Sequence, residues 1–189
     1  TLALTGLRAQ HSVPNPTSQL WNDPTFIAAF TASYGILSDY EPPISNAEKL
    51  KLRSLIDTIP SNPSAAISAL EAQIQPNSSA AFDFILANLY FRQRDPASAQ
   101  KHYRSALRKF PNFRRVYKNL GLLQVQAGDY GAAVKTISKG MELGLVDGRA
   151  YGLLGYSYPS QALYYPAETA YRHAILMNPE TLDWKLGLA

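Results

Sequence analysis

AAFDFILANLYFRQRDPASAQKHYRSALRKFPNF (residues 80–113), RRVYKNLGLLQVQAGDYGAAVKTISKGMELGLVD (114–147) and GRAYGLLGYSYPSQALYYPAETAYRHAILMNP (148–179) agree column by column at an interval of about thirty-four residues. Leu86, Leu120 and Leu154 fall in register, each followed by a small residue, Ala87, Gly121 and Gly155. Tyr90, Gln124 and Tyr158 come next, then Ala99, Ala133 and Ala167, then Tyr103, Ile137 and Tyr171, then Ala106, Gly140 and Ala174. Pro111, Leu145 and Pro179 close the units. Large apolar side chains that alternate with alanine and glycine at a fixed period are what paired antiparallel helices need, because the small columns let two backbones approach while the large ones fill the grooves. The expected fold is therefore all-α, with helix hairpins stacked into a solenoid in which each hairpin contacts only its neighbours.

These columns resemble the tetratricopeptide repeat over the last hundred residues or so. The resemblance implies a right-handed superhelical solenoid with a concave groove lined by the first helix of each hairpin. Asp83, Tyr117 and Tyr151 stand where that family often has Trp, and Gln124, Gly140 and Leu145 make the middle unit the least regular.

Outward from the repeats, Ser45 followed by Glu48 is a capping box opening a helix. Leu52, Leu55, Ile56 and Ile59 supply its apolar face, 59–63 a turn, and Ser64 to Gln75 an alanine-rich returning helix, so that 45–79 reads as a degenerate hairpin of the same kind. Asp23 before Pro24 is a helix start, and Phe26, Ile27, Phe30, Tyr34 and Leu37 share one face of a helix that ends before Glu41, Pro42 and Pro43. The segment 23–44 is thus expected to be a covering helix and linker, since a solenoid end cannot be left apolar. Residues 1–22 read as an extended arm anchored by Leu20 and Trp21. At the other end, 180–189 starts a capping or further helix with Leu182, Trp184 and Leu186 and carries no stop signal. With Thr1 in place of Met, the sequence is expected to be part of a longer polypeptide.

The 189 residues include no cysteine, which excludes disulfides, thiolate metal sites and a cysteine nucleophile. No apolar run approaches the length of a membrane span. The net charge of +4 is unevenly placed. Arg92, Arg94, Lys101, Arg104, Arg108, Lys109, Arg114, Arg115 and Lys118 crowd an interval whose acid is Asp95 alone. Such a cluster is either a solvated outer helix face or a surface for an acidic partner.

Chemistry has no comparable trace. His11, His102 and His173 lie far apart and none has metal-ligand spacing, so structural histidines are expected and no metal site. The glycines near Gly128, Gly131, Gly152 and Gly155 precede no Lys-Ser or Lys-Thr pair, which removes a phosphate-cradling loop. No catalytic residue and no cofactor is assigned. In the repeat register, the inward face includes Phe84, Asn88, Phe91, Arg115, Lys118, Asn119, Leu122, Arg149, Leu153 and Tyr156, apolar ground mixed with amide and cationic groups. That surface suits an extended or helical peptide carrying acidic residues or a terminal carboxylate.

Tetratricopeptide modules that clamp a terminal carboxylate use two asparagines and three basic residues on these faces. The resemblance places Asn88, Asn119 and Arg149 in matching positions, with Phe84 and Leu153 where two cations are expected and Lys118 or Arg115 as substitutes. Three stretches, 20–24 with 33–35, 110–115, and 151–156 with 182–187, look like bacterial tetratricopeptide proteins encoded beside TonB and ExbB-type energy-transducing components. That likeness implies an exported, periplasmic adaptor with such components as partners. The expected function is a non-catalytic protein-interaction scaffold. The competing readings are nucleic-acid binding through the basic interval, which lacks a recognised module, and a helical appendage on a larger enzyme.

Overall fold

The computed structural model describes residues 39–188. The arm at 1–22 and the helix expected from Asp23, with its face from Phe26 to Leu37, lie outside the described residues, as does His11. Within the described part the elements are α1 (Asn46–Thr58), α2 (Pro63–Glu71), α3 (Ala80–Arg92), α4 (Pro96–Lys109), α5 (Arg114–Gln126), α6 (Tyr130–Glu142), α7 (Gly148–Ser157), a 3-10 turn (Tyr158–Gln161), α8 (Tyr164–Met177) and α9 (Leu182–Leu188). There is no strand among these residues.

Each start has a local cause. Ser45 and Glu48 form the capping box, with Ser45 N–H donating to Glu48 Oε2 at 2.9 Å and Glu48 N–H to Ser45 Oγ at 3.3 Å. Asn62, Asp95, Asp129 and Asp147 accept from backbone amides in the first turns of α2, α4, α6 and α7 at 2.9–3.1 Å. The returning helix α2 is shorter than the span from Ser64 to Gln75. It opens at Pro63, where a missing N–H is harmless. After Glu71 the chain tightens into three-residue closures, Gln73 N–H to Leu70 O and Ile74 N–H to Glu71 O, ahead of Pro76.

The turn inside each hairpin repeats at the same interval as the core columns. Arg94, Gly128 and Ala162 all have left-handed backbones, with φ of 60°, 75° and 59°. The residue after each donates to a carbonyl five positions back, Asp95 to Tyr90, Asp129 to Gln124 and Leu163 to Tyr158, at 2.9, 2.9 and 3.1 Å. This is the closure that ends a helix on a left-handed residue. Glycine takes it without strain only at Gly128. In the third unit Pro159 ends α7 early, and the path runs through the 3-10 turn to reach Ala162. Helix resumes at Tyr164, two residues before Pro166.

Packing follows the chain. The tightest pairs are α3 with α4, α5 with α6 and α7 with α8, and α1 and α2 form a lighter pair. Leu86, Leu120 and Leu154 are at most 4% exposed, and the columns Ala99, Ala133, Ala167 and Tyr103, Ile137, Tyr171 are buried. Small residues meet large ones across each hairpin. A Cβ on Gly121 would overlap Ile137 Cγ1, one on Gly155 would lie 2.7 Å from the Tyr171 ring, and one on Gly140 would lie 2.9 Å from Tyr117 Cβ. Helix α9 closes the described end: Trp184 lies on Gly152 and Gly187 on the Tyr171 ring, while Leu182 and Leu186 face solvent. The result is a helical-hairpin solenoid.

Gly121→Val and Ala133→Leu should each force a hairpin apart and destabilise by about 1–3 kcal/mol, read as a lowered denaturant midpoint. Ala162→Gly should do the opposite, relieving the left-handed strain and stabilising by about 0.5–1 kcal/mol after the entropic cost of glycine. A wild-type midpoint in all three would contradict the packing and turn assignments.

Candidate functional site

The first helices of the hairpins, α3, α5 and α7, carry the residues assigned to the inner face, and hydrogen bonds tie them together. Asn119 Nδ2 on α5 donates to Asn88 Oδ1 on α3 at 2.8 Å, and Tyr103 Oη on α4 donates to the same oxygen at 2.6 Å. Burial pushes the Tyr103 phenol well above its ordinary value, so it remains a donor. Lys118 Nζ on α5 reaches Asp147 Oδ2, just before α7, at 2.6 Å, while the other oxygen of Asp147 caps α7. Burial acts to raise the Asp147 carboxyl, but the Lys118 bond, the Ala150 amide and the field of Arg149 prevail and hold it below its ordinary value. Arg149 and Tyr156 are exposed; Phe91, Leu122 and Leu153 are half-buried. Tyr156 meets the Tyr130 ring edge-on at 5.8 Å between centroids.

Two of the assigned residues sit in a different environment from an open groove. Phe84 is 3% exposed, with its ring 4.9 Å from Phe113 and 6.2 Å from Tyr103, so it belongs to the core. Arg115 Nη2 donates to Glu41 Oε2 at 2.5 Å, and its guanidinium lies 5.3 Å from the Phe84 ring centroid. Next to it, the Arg114 guanidinium stacks over the Tyr40 ring at 3.9 Å, and its Nη1 donates to Gly144 O at 3.1 Å. Glu41 and Pro42 are buried. The chain's own linker therefore lies on the start of α5. Nothing in the spacing of Glu41, Asp147 and Tyr40 marked them as partners of Arg115, Lys118 and Arg114, although Asp147 before Gly148 is legible as a helix cap.

The basic interval splits by location. Arg92, Arg94, Lys101, Arg104 and Arg108 are exposed, the last three on one face of α4. Lys109, Arg114, Arg115 and Lys118 are engaged within the chain. Lys109 Nζ lies 2.7 Å from Asp83, which is fully buried, with His102 Nδ1 3.7 Å away and the His102 ring stacked on Tyr90 at 5.7 Å. Burial alone would raise the Asp83 carboxyl, yet its hydrogen bonds and the Lys109 charge leave it lowered. His173 stacks on Tyr151 at 5.1 Å. Among the described residues no group of three or more His, Asp or Glu is placed to hold a metal ion, and no helix is long and apolar enough to cross a membrane. The tyrosine-rich turn opens onto a shallow cleft of about 490 Å³ between Met141, Tyr151, Tyr158, Tyr165 and His173.

Hairpins in this order make a helical solenoid of the tetratricopeptide kind. Tetratricopeptide repeat models match residues 85–139 and residues 148–181. No curated protein sequence matches the chain. Among solved structures, MamA residues 41-end from Desulfovibrio magneticus RS-1 superposes with a TM-score of 0.67 at 17% identity, covering 77% of this chain and 83% of that one. The Arabidopsis OM64 tetratricopeptide domain gives 0.55 at 17%, covering 58% and 90%. The first tetratricopeptide domain of Spaghetti (RPAP3), bound to the HSP90 peptide SRMEEVD, gives 0.54 at 16%, covering 58% and 86%. At these identities the likeness establishes the fold.

Asp83→Asn should cost about 3 kcal/mol, the low end for leaving one partner of a buried ion pair behind. Because the Asp83 carboxyl is lowered in the folded chain, its contribution is present above the ordinary value of 3.8 and is lost as the pH falls below it. The difference between wild type and Asp83→Asn in denaturant melts should therefore narrow on acidification below pH 3.8. A constant difference would rule out the pair as its source.

Proposed function

We propose that this chain is a non-catalytic scaffold whose inner face, along α3, α5 and α7, takes an extended acidic segment of a partner protein. The observation that carries the reading is that Arg115 and Lys118 each hold a carboxylate, at 2.5 and 2.6 Å, beside the Asn88–Asn119 bridge. A face that accommodates two carboxylates from its own chain has donors placed for an incoming one. Exposed Arg149 adds a cation at the α7 end. Support of a different kind is the peptide SRMEEVD, which carries three acidic residues and is held by a protein of the same fold. With Phe84 buried and Leu153 apolar, the reading is of a reduced clamp, with Arg115 and Lys118 in place of the missing cations.

The placement in a bacterial envelope complex with TonB- or ExbB-type components rests on the sequence resemblance. It is part of the proposal. Recovery of the chain in the periplasmic fraction, and its co-purification with such a component, is the result expected. Recovery in the cytoplasm alone would discard that setting and leave the peptide-binding reading standing.

For the groove itself, a fluorescent acidic peptide such as SRMEEVD should bind the full chain in a salt-sensitive manner. Arg149→Ala and Asn119→Ala should each weaken it about tenfold, or about 1.4 kcal/mol. Unchanged affinity in both variants would refute the inner face as the site.

A further inference from the structure

The linker Asp39–Tyr40–Glu41–Pro42–Pro43 makes a turn at 39–41 that rests on the first turn of α5. Glu41 is 6% exposed although it belongs to a segment outside any helix, and Pro42 beside it is buried. Its carboxylate meets Arg115, whose guanidinium lies near the Phe84 and Phe113 rings, at 5.3 and 5.5 Å from their centroids. One residue earlier, the Tyr40 ring covers Arg114 at 3.9 Å. An aromatic ring, an acid and a proline in succession thus occupy a cationic, aromatic-lined seat, 74 residues away in sequence from the residue that Glu41 binds.

The seat is held differently from the other ion pairs. Burial pushes the Glu41 carboxyl above its ordinary value of 4.5 despite the pull of Arg115 and Arg114, whereas Asp147 and Asp83 stay lowered by their lysines and hydrogen bonds. The Arg115 pair, the Tyr40 ring over Arg114 and the buried Pro42 seat the segment, and its attachment to α1 holds it near the seat at an effective concentration on the order of millimolar.

Building on the inner-face reading, we infer that Tyr40–Glu41–Pro42 is a tethered pseudoligand that closes the Arg114–Arg115 end of the groove. A partner segment of the same chemistry, an acidic residue flanked by an aromatic residue and proline, displaces it. The affinity of such a partner is then divided by the fraction of molecules with the seat empty. A seat filled nine times in ten lowers the apparent affinity about tenfold, and emptying it restores that factor.

Two peptides and four forms of the chain test this by fluorescence anisotropy, with circular dichroism verifying helicity. The first peptide is SRMEEVD; the second is Asp-Tyr-Glu-Pro-Pro-Ile, the linker sequence supplied in trans. The proteins are wild type, Tyr40→Ala with Glu41→Ala, the same pair with Arg115→Gln added, and Asp39→Asn. The double variant should bind the linker peptide at least tenfold more tightly than wild type, and addition of Arg115→Gln should abolish the gain. Asp39→Asn removes the same charge from an exposed position without emptying the seat, so it should change affinity less than twofold. Equal binding by wild type and the double variant would overturn the pseudoligand while leaving the groove reading intact. An equal gain in Asp39→Asn would reduce the effect to net charge and overturn it too. Failure of both peptides on all four proteins would sink the inner-face reading as well. A measurement on the unaltered chain guards against a misfolded variant: saturating linker peptide should speed amide hydrogen exchange at 39–41, and unchanged exchange in the peptide-bound protein counts against the inference.

Discussion

The structure depends on the close approach of two helix backbones within each hairpin. That approach exists because glycine or alanine recurs where a large side chain of the partner helix must enter. Ile137 fills the space a Cβ would take on Gly121, and the Tyr171 ring does the same at Gly155 and again, from the far side, at Gly187. Interiors packed to crystal density cannot absorb an added methyl group at such points without moving a helix. Every later feature, including which residues face inward, follows from the angle that this contact sets.

Because each hairpin touches only its neighbours, adjacent units need their own connections, and polar groups provide several of them. Asn119 to Asn88 joins α5 to α3, and Lys118 to Asp147 joins α5 to the start of α7. Glu48 joins the first hairpin to the next by accepting the Ser79 amide at 2.8 Å besides closing its own capping box. Its carboxyl is lowered because those backbone bonds outweigh the burial that would raise it. The inner face is thus a line of bonded donors and acceptors. Arg115 and Lys118 already hold carboxylates of the chain itself.

The two ion pairs on α5 differ in their surroundings. At the α7 end, Lys118 and Asp147 each remain about one-third exposed and form a net attractive pair that also caps a helix. At the α5 start, Arg115 holds a carboxylate that resists its own burial. The two pairs therefore differ in balance: at Asp147 the attraction of its partners outweighs burial, and at Glu41 burial outweighs it. Outside the groove, Lys101, Arg104 and Arg108 on α4 remain in solvent, so the charge cluster seen in the sequence divides into an outer helix face and an inner set already in use.

What the sequence determined alone was the repeating part. Leu86, Leu120 and Leu154 with their small neighbours, the cap at Ser45 and Glu48, the glycine turn at Gly128 and the break at Pro159 were all legible, because each rests on local geometry or a fixed spacing. The left-handed turns at Arg94 and Ala162 were not, since those residue types carry no sign of positive φ and take it only because the flanking helices demand it. Register places Asn88, Lys118, Asn119 and Arg149 on the first helices of their hairpins, and that much could be read from the sequence. The burial of Phe84 and the pairing of Arg115 with Glu41 could not. They arise from where an irregular linker lies after the hairpins have stacked, a contact across many residues with no period to announce it. Tertiary structure alone decided which of the charges in the groove were already spoken for.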